Sequence, residues 1–235
     1  MAGNIAIKDK HSVSAPQSKE AEARFNTPTP CPDFAQLLPR GKWLGLPAAI
    51  RRRFSRSAAG NSVISYHGMV VEQKANAAGW LITQAARLIG APLPFSVCGP
   101  AAVTITSLPA HGSAPAGQIW SRQYGRQAGF PQVIHSVKRF AGPTGLEEYL
   151  GMGIGIALRL EADAQSLDFI SDHYFLMLFG TRLRLPRWLS PGDLRIGHIA
   201  KGEHRFAFTL KLSHRLFGVM IEQVCLFEDE EKAPC

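Results

Sequence analysis

From residue 95 to residue 227 the chain alternates, segment after segment, between large apolar side chains and small or polar ones. A period of two over short runs is the mark of β-strands, because successive side chains leave a strand on opposite faces. Val103 and Ile105 alternate with Thr104 and Thr106, and Phe206, Phe208, Leu210 and Leu212 alternate with Ala207, Thr209 and Lys211. Similar runs cover 62–73, 117–124, 131–140, 154–160, 167–179, 181–185, 194–198 and 219–227. Ala162-Asp-Ala-Gln165 and Lys201-Gly-Glu203 carry hairpin-turn residues. Strands joined by such short links pair antiparallel, and a sheet of this size curls or closes. The expected fold class is α+β, mostly antiparallel β: a strongly curved sheet or barrel of eight to ten strands.

Two helices complete the pattern. Ala48–Ser55 is predicted as a short N-terminal helix with Ile50 and Phe54 on one face and the arginines of 51–53 on the other. The main helix begins after Asn76, an N-cap residue, and ends at Gly90 before Pro92 and Pro94. Its Trp80, Leu81, Ala85, Leu88 and Ile89 form a stripe expected to pack on the sheet. Residues 1–33 are polar and proline-rich and are expected to form a disordered tail, since they offer too little apolar area to offset the entropy of ordering. That leaves a single β-rich domain over 34–227 and a frayed acidic end over 228–235.

The net charge is +8, with a sequence pI near 9.6. The one dense basic cluster, Arg51, Arg52, Arg53 and Arg56, is too short to form a nucleic-acid stripe. Its helix is also short for lying on a membrane. Neither nucleic acid nor a membrane surface is therefore expected as a partner. Cys31, Cys98, Cys225 and Cys235 form no CxxC pair, which fits a reduced cytoplasmic chain. Cys98 and Cys225 fall in strand-like segments and read as small buried hydrophobes. No secretory leader pattern and no apolar run of membrane-spanning length is visible, so a soluble protein is expected.

Four local signatures follow one another in the second half: Trp120-Ser-Arg122-Gln-Tyr124-Gly125, Arg139-Phe140-Ala-Gly142-Pro143, Leu185-Pro186-Arg187-Trp188-Leu189-Ser-Pro191 and His204-Arg205-Phe206-Ala-Phe208. In order and spacing the chain resembles the domain of unknown function 4166 family from about Phe34 to Phe227. The resemblance carries over no catalytic residue, because none is assigned to that family. Members stand alone or are appended to dehydrogenase-like domains, which implies a dehydrogenase-like protein as a conceivable partner.

The chemical motifs are sparse. Gly151-Met-Gly153-Ile-Gly155 is followed by a strand pattern and not a helix, so it reads as a bend or close sheet contact and not as a dinucleotide loop. No phosphate-loop or nucleophile-elbow motif is present, and the eight histidines lack zinc-ligand spacing. No cofactor and no metal is expected. The ligand-binding candidates are Trp120, Arg122, Tyr124, His135, Arg187, Trp188, Arg205 and Glu222. Trp120, Arg122 and Tyr124 share a strand face. The commoner role for such a face is an outward cross-strand ladder; the sharper one is an arginine fork for an anion. His135, between Val133 and Val137, is expected on a buried apolar face. Arg187 and Trp188 lie in a rigid turn, where a Trp plugs a barrel end or lines a pocket mouth. Glu147, Glu148, Asp172 and His173 are further acid–base groups, and the sequence does not orient Asp172-His173.

Three functional readings follow, and whether the chain is an enzyme is left open. The first is a module binding a small apolar ligand, or one with an anionic end held by Arg122. The second is an enzyme or accessory domain acting with a dehydrogenase-like partner, which requires His135, Glu222 or Asp172 to converge in one cleft. The third is a peripheral membrane or scaffold protein using the basic helix near Arg51.

Overall fold

A computed structural model describes residues 33–55, 63–88, 98–111, 114–126 and 129–229. Residues 1–32 and 230–235, most of the two expected tails, lie outside the described residues. The helices are α1 (Arg40–Gly45), α2 (Ala48–Ser55) and α3 (Ala77–Leu88). The strands are β1 (Val63–Ala75), β2 (Gly99–Leu108), β3 (Gly117–Tyr124), β4 (Gln132–Arg139), β5 (Leu146–Gly151), β6 (Ile154–Ala162), β7 (Ser166–Leu178), β8 (Thr181–Arg184), β9 (Asp193–Ala200), β10 (Arg205–His214) and β11 (Gly218–Asp229).

Consecutive strands from β1 to β7 pair antiparallel, β7 pairs β9, and β11 returns to β1, so ten strands close a barrel. The extra strand, β8, folds back on β7. The expectation of a curved antiparallel sheet or barrel with one packed helix holds. One barrel strand, β5, escapes the sequence pattern. Glu147 and Glu148 stand side by side in it and break the alternation, yet both are buried. Each has cations on its own face: Glu148 points inward to Lys138 and Arg122, and Glu147 pairs with Arg182.

β7 forks. Ser166–Ile170 pairs with β9, whereas Phe175–Leu178 pairs with β8. Past the fork the segment 185–191 approaches β7, with the Leu185 amide donating to the Tyr174 carbonyl at 2.9 Å. The barrel wall is thus ladder on one side of this point and loop on the other.

The two ends differ. At the end where β1 begins, α2 and a 3-10 turn at Phe34–Leu37 drive Phe34, Ile50 and Phe54 into the barrel against Phe169 and His198. Phe206 and Phe227 stack beneath them. Ile50 and Phe54 share the buried face as their spacing requires. Arg53 departs from the expected solvent face: it is buried, ion-paired to Asp229 at 3.1 Å and seated 3.7 Å over the Phe206 ring. For the same reason the C-terminal end is not frayed from Glu228. β11 runs to Asp229, which is buried as the partner of Arg53.

At the opposite end α3 lies across the barrel. The Asn76 side chain caps it, accepting from the Gly79 amide at 2.9 Å. Gly79 touches β11 so closely that a Cβ there would meet the Met220 carbonyl oxygen at 2.0 Å. The face toward the barrel therefore carries Gly79, Ile82, Thr83 and Ala86, while Trp80, Leu81 and Leu88 point outward and are exposed. This reverses the expected packing of Trp80, Leu81 and Leu88, whereas Ala85 does border the barrel interior; Ile89 and the expected helix stop at Gly90 lie outside the described residues. The helix is apolar on both sides, and backbone proximity selected the side with the small residues. Cys98 is exposed, contrary to expectation, while Cys225 is buried inside the barrel, its thiol pushed up to about 12 by burial. Among the described residues no helix is long and apolar enough to cross a membrane.

Candidate functional site

The half of the barrel beneath α3 holds a cavity of about 610 Å3. Its wall is almost wholly apolar, built from inward positions such as Ile134, Ile156, Leu176, Ile196, Phe208 and Leu210. Ile82 and Ala86 of α3 cover one side, and Leu185 and Leu189 close the fork beside β7. The polar groups at this wall are few. They include Tyr124, Tyr174 and one cluster formed by Arg122, Ser136 and Glu148.

That cluster is built by register. Arg122 of β3 lies opposite Ile134 of β4, and Ser136 and Lys138 are the next inward positions of β4. Glu148 of β5 lies opposite Lys138. Arg122 donates to Ser136 Oγ at 3.1 Å and to Glu148 Oε1 at 3.3 Å, and Ser136 Oγ donates to the same oxygen at 2.6 Å. Lys138 Nζ lies 2.9 Å from Glu148 Oε2 and 4.6 Å from the Trp120 ring centre. All four are buried. Burial pushes the Glu148 carboxyl up, but Lys138, Arg122 and Ser136 together outweigh it and hold it near about 2. Burial brings the Lys138 ammonium down to about 8 against the pull of Glu148, and Arg122 adds to the lowering. At neutral pH the cluster thus holds two cations against one carboxylate, and the surplus positive charge borders an apolar space.

Below the cluster the interior is packed with aromatic rings. His198 is ringed by Phe54, Trp120, Phe169, Phe206 and Phe208. Burial first, then Arg53, Lys138 and Arg122, push it well below its ordinary range, so it is neutral. Above the cluster Tyr124 donates to Gln223 at 3.5 Å, and Gln223 donates to Gln73 at 3.2 Å. Burial raises the Tyr124 and Tyr174 hydroxyls, so neither ionises near neutrality.

Of the sequence candidates, Arg122 and Tyr124 line the cavity, and Trp120 sits deeper on the same face under Lys138. This corrects the outward ladder: the face with Trp120, Arg122 and Tyr124 is the interior one, because Ser136 and Glu148 neutralise and solvate the arginine there. The other candidates are not brought together. His135 borders the cavity in β4, but its ring is exposed and bonded to Ser121 Oγ at 2.8 Å. Val133, His135 and Val137 form the outer face of β4, while Ile134, Ser136 and Lys138 form the inner one. The sequence pointed the wrong way because a valine face looked more buried than one carrying a lysine. Glu222 is on the outer face of β11, facing Lys74 of β1, and Arg205 is exposed at the packed end. Arg187 is exposed and so is Trp188, which plugs nothing; its neighbours Leu185 and Leu189 line the cavity instead.

Asp172-His173 faces outward from a bulge in β7. His173 Nδ1 lies 2.6 Å from Asp172 Oδ2, and Arg182 lies 3.1 Å from its Nε2. Arg182 in turn pairs with Glu147, which accepts from the Tyr149 hydroxyl at 2.7 Å. This is a wall network bracing β5, β7 and β8. His135, Glu222 and Asp172 thus stand on separate strands of the outer wall and form no common cleft. Gly151-Met-Gly153 is the β5–β6 turn, with Met152 and Gly153 both at positive φ (47° and 78°). Among the described residues no three or more His, Cys, Asp or Glu side chains gather to hold a metal. Ser136 and Lys138 are the members that sequence reasoning missed; the signal was their place two and four residues on from Ile134.

A family model described as Domain of unknown function (DUF4166) matches residues 46–227. No curated protein and no solved structure matches the chain.

Proposed function

This chain belongs to the DUF4166 family, and we propose that it binds one small amphiphile, an apolar chain or ring system ending in an acidic group. The observation that carries the reading is an apolar cavity of about 610 Å3 bordered by the buried Arg122 and Glu148, with a second buried cation, Lys138, behind the carboxylate. Its volume lies within the roughly 300–1,000 Å3 of small-ligand sites. The apolar wall supplies non-directional affinity by removing ligand surface from water. Arg122 supplies direction: its planar fork suits a carboxylate or phosphate, and Ser136 and Glu148 fix its plane. A second anion offsets the surplus charge of the cluster, whereas a neutral head leaves that charge uncompensated.

The test is native mass spectrometry and thermal shift on the full chain, freed of bound lipid, with acyl carboxylates and the matching alcohols. The carboxylates should bind and raise the melting temperature, and the alcohols should bind at least tenfold more weakly, about the worth of one charge-assisted hydrogen bond. Arg122→Met should remove the difference between acids and alcohols, since Lys138 still neutralises Glu148 and keeps the barrel folded. Affinity for the acids should fall as pH rises through about 8, where Lys138 loses its proton and the surplus charge vanishes. Equal binding of acids and alcohols would end the headgroup assignment, and binding of neither would end the ligand reading.

A further inference from the structure

Large apolar side chains are exposed at every described tip around the α3 end of the barrel. They are Leu88 at the end of α3 (84% exposed), Phe130 before β4 (90%), Met152 between β5 and β6, Phe179 between β7 and β8 (97%), Trp188 before β9 (81%) and Leu216 between β10 and β11. The outward stripe of α3 adds to them. Isolated exposed hydrophobes are ordinary; six on six separate connections at one end are not. The connecting segments at that end, residues 76–98, 125–131, 152–153, 179–180, 185–192 and 215–217, contain four arginines (Arg87, Arg126, Arg187, Arg215) and no Asp, Glu or Lys. The packed end offers a contrast within the same molecule. Its strand-to-strand connections 109–116, 140–145, 163–165 and 201–204 carry Asp163, Lys201 and Glu203 and hold one large aromatic, Phe140, which packs inward on Phe34.

We infer that the α3 end docks on an anionic lipid surface. Spaced apolar tips need no complementary groove: a bilayer interface accepts each one separately, and Trp is at home at the headgroup level. Connecting segments with four arginines and no carboxylate, beside the single exposed Asp193 at the start of β9, complement acidic headgroups. The same end covers the cavity, so docking brings the sheltered interior to the layer that holds amphiphiles. The surface is distinct from the basic α2 helix, whose Arg53 is spent on Asp229 at the opposite end. The inference stands apart from the ligand reading, because it uses only exposed side chains that do not line the cavity.

The experiment is flotation of the full chain with phosphatidylcholine vesicles and with mixed phosphatidylcholine–phosphatidylglycerol vesicles. Binding should require the acidic lipid and weaken with salt. Phe179→Ser with Trp188→Ser should lower partitioning at least about tenfold by loss of apolar insertion. Arg187→Ala and Arg215→Ala should each lower it about fivefold, near 1 kcal/mol per basic side chain at an acidic surface. Arg51→Ala with Arg52→Ala, at the other end, should change nothing, and Arg122→Met should keep vesicle binding whether or not it loses the amphiphile. Brominated lipid should quench the wild-type fluorescence, and Trp188→Phe should lessen that quenching. No flotation with acidic vesicles at low salt overturns the inference. So does flotation that survives the rim substitutions but is lost on changing Arg51 and Arg52. A solution dimer broken by the rim substitutions would overturn it too, assigning the rim to a second copy of the chain.

Discussion

The two halves of this barrel are made by the same ten strands, yet one is filled and the other is hollow. In the filled half, aromatic rings contributed by α2, the Phe34 turn, β7, β10 and β11 pack together, edge to face around Phe34 and stacked at Phe206–Phe227, and the Arg53–Asp229 ion pair is sealed under them. In the hollow half, the inward side chains are mostly aliphatic, with Tyr124, Tyr174 and Phe208 among them, and the covering helix presents Ile82 and Ala86 to the space. The Arg122–Ser136–Lys138–Glu148 cluster lies between. A packed half rigidifies the scaffold, and a hollow half leaves room for a guest at some expense of contact energy. The charged cluster is held to its geometry by the packed side and faces the hollow one.

That contrast can be broken by mutation, and the largest effect belongs in the filled half. Phe169→Ala should cost about 3–5 kcal/mol in urea denaturation, because the vacated volume is surrounded on all sides. Glu148→Gln should cost a similar amount, about 3–5 kcal/mol, by leaving Arg122 and Lys138 buried without an anion. The carboxyl of Glu148 is held below its ordinary 4.5, near about 2, so the folded chain resists its protonation. The unfolded state therefore binds more protons between those values. The stability Glu148 contributes is full above about pH 4.5 and is lost as pH falls toward 2, on the order of 3 kcal/mol, measurable as an acid shift of the urea midpoint that Glu148→Gln abolishes. Lys138 acts with the opposite burden: held down to about 8 from 10.5, it makes folding costlier below pH 8, and that cost is relieved between 8 and 10.5.

In the hollow half Leu210→Ala should cost less than about 2 kcal/mol, because it widens a space that already exists and breaks fewer contacts. Equal losses at Phe169 and Leu210 would show that the two halves are packed alike. The smallest effect is expected at the rim, where Trp188→Ser should move stability by no more than about 0.5 kcal/mol. A larger loss would mean that the rim serves the fold and not a surface.

Period-two alternation was enough to read ten of the eleven strands, since a strand that is wet on one side and dry on the other must alternate. It could not find β5, where Glu147 and Glu148 are dry on both faces by virtue of partners far away in the chain. It also could not say which side of β4 or α3 was the inner one. On β4 the valines lost to Ile134, Ser136 and Lys138, and on α3 the large stripe lost to Gly79, Thr83 and Ala86. In both cases the inner side was chosen by what stood opposite: a carboxylate across the ladder for Lys138, and the β11 backbone for Gly79. The Arg122 face was noticed for the right residues, but its orientation rests on Glu148, which lies 26 positions further on.

The sequence by itself determined an antiparallel sheet, its hairpin turns, the capped start of α3 and the apolar pair on α2, because each of these is decided by side chains close together in the chain. Only the tertiary structure decided that the sheet closes, that one half is left hollow, and that Arg122 and Lys138 meet Glu148 where the hollow and filled halves join. Those outcomes depend on which strands become neighbours, and a buried charge is tolerable only where its partner arrives from another strand.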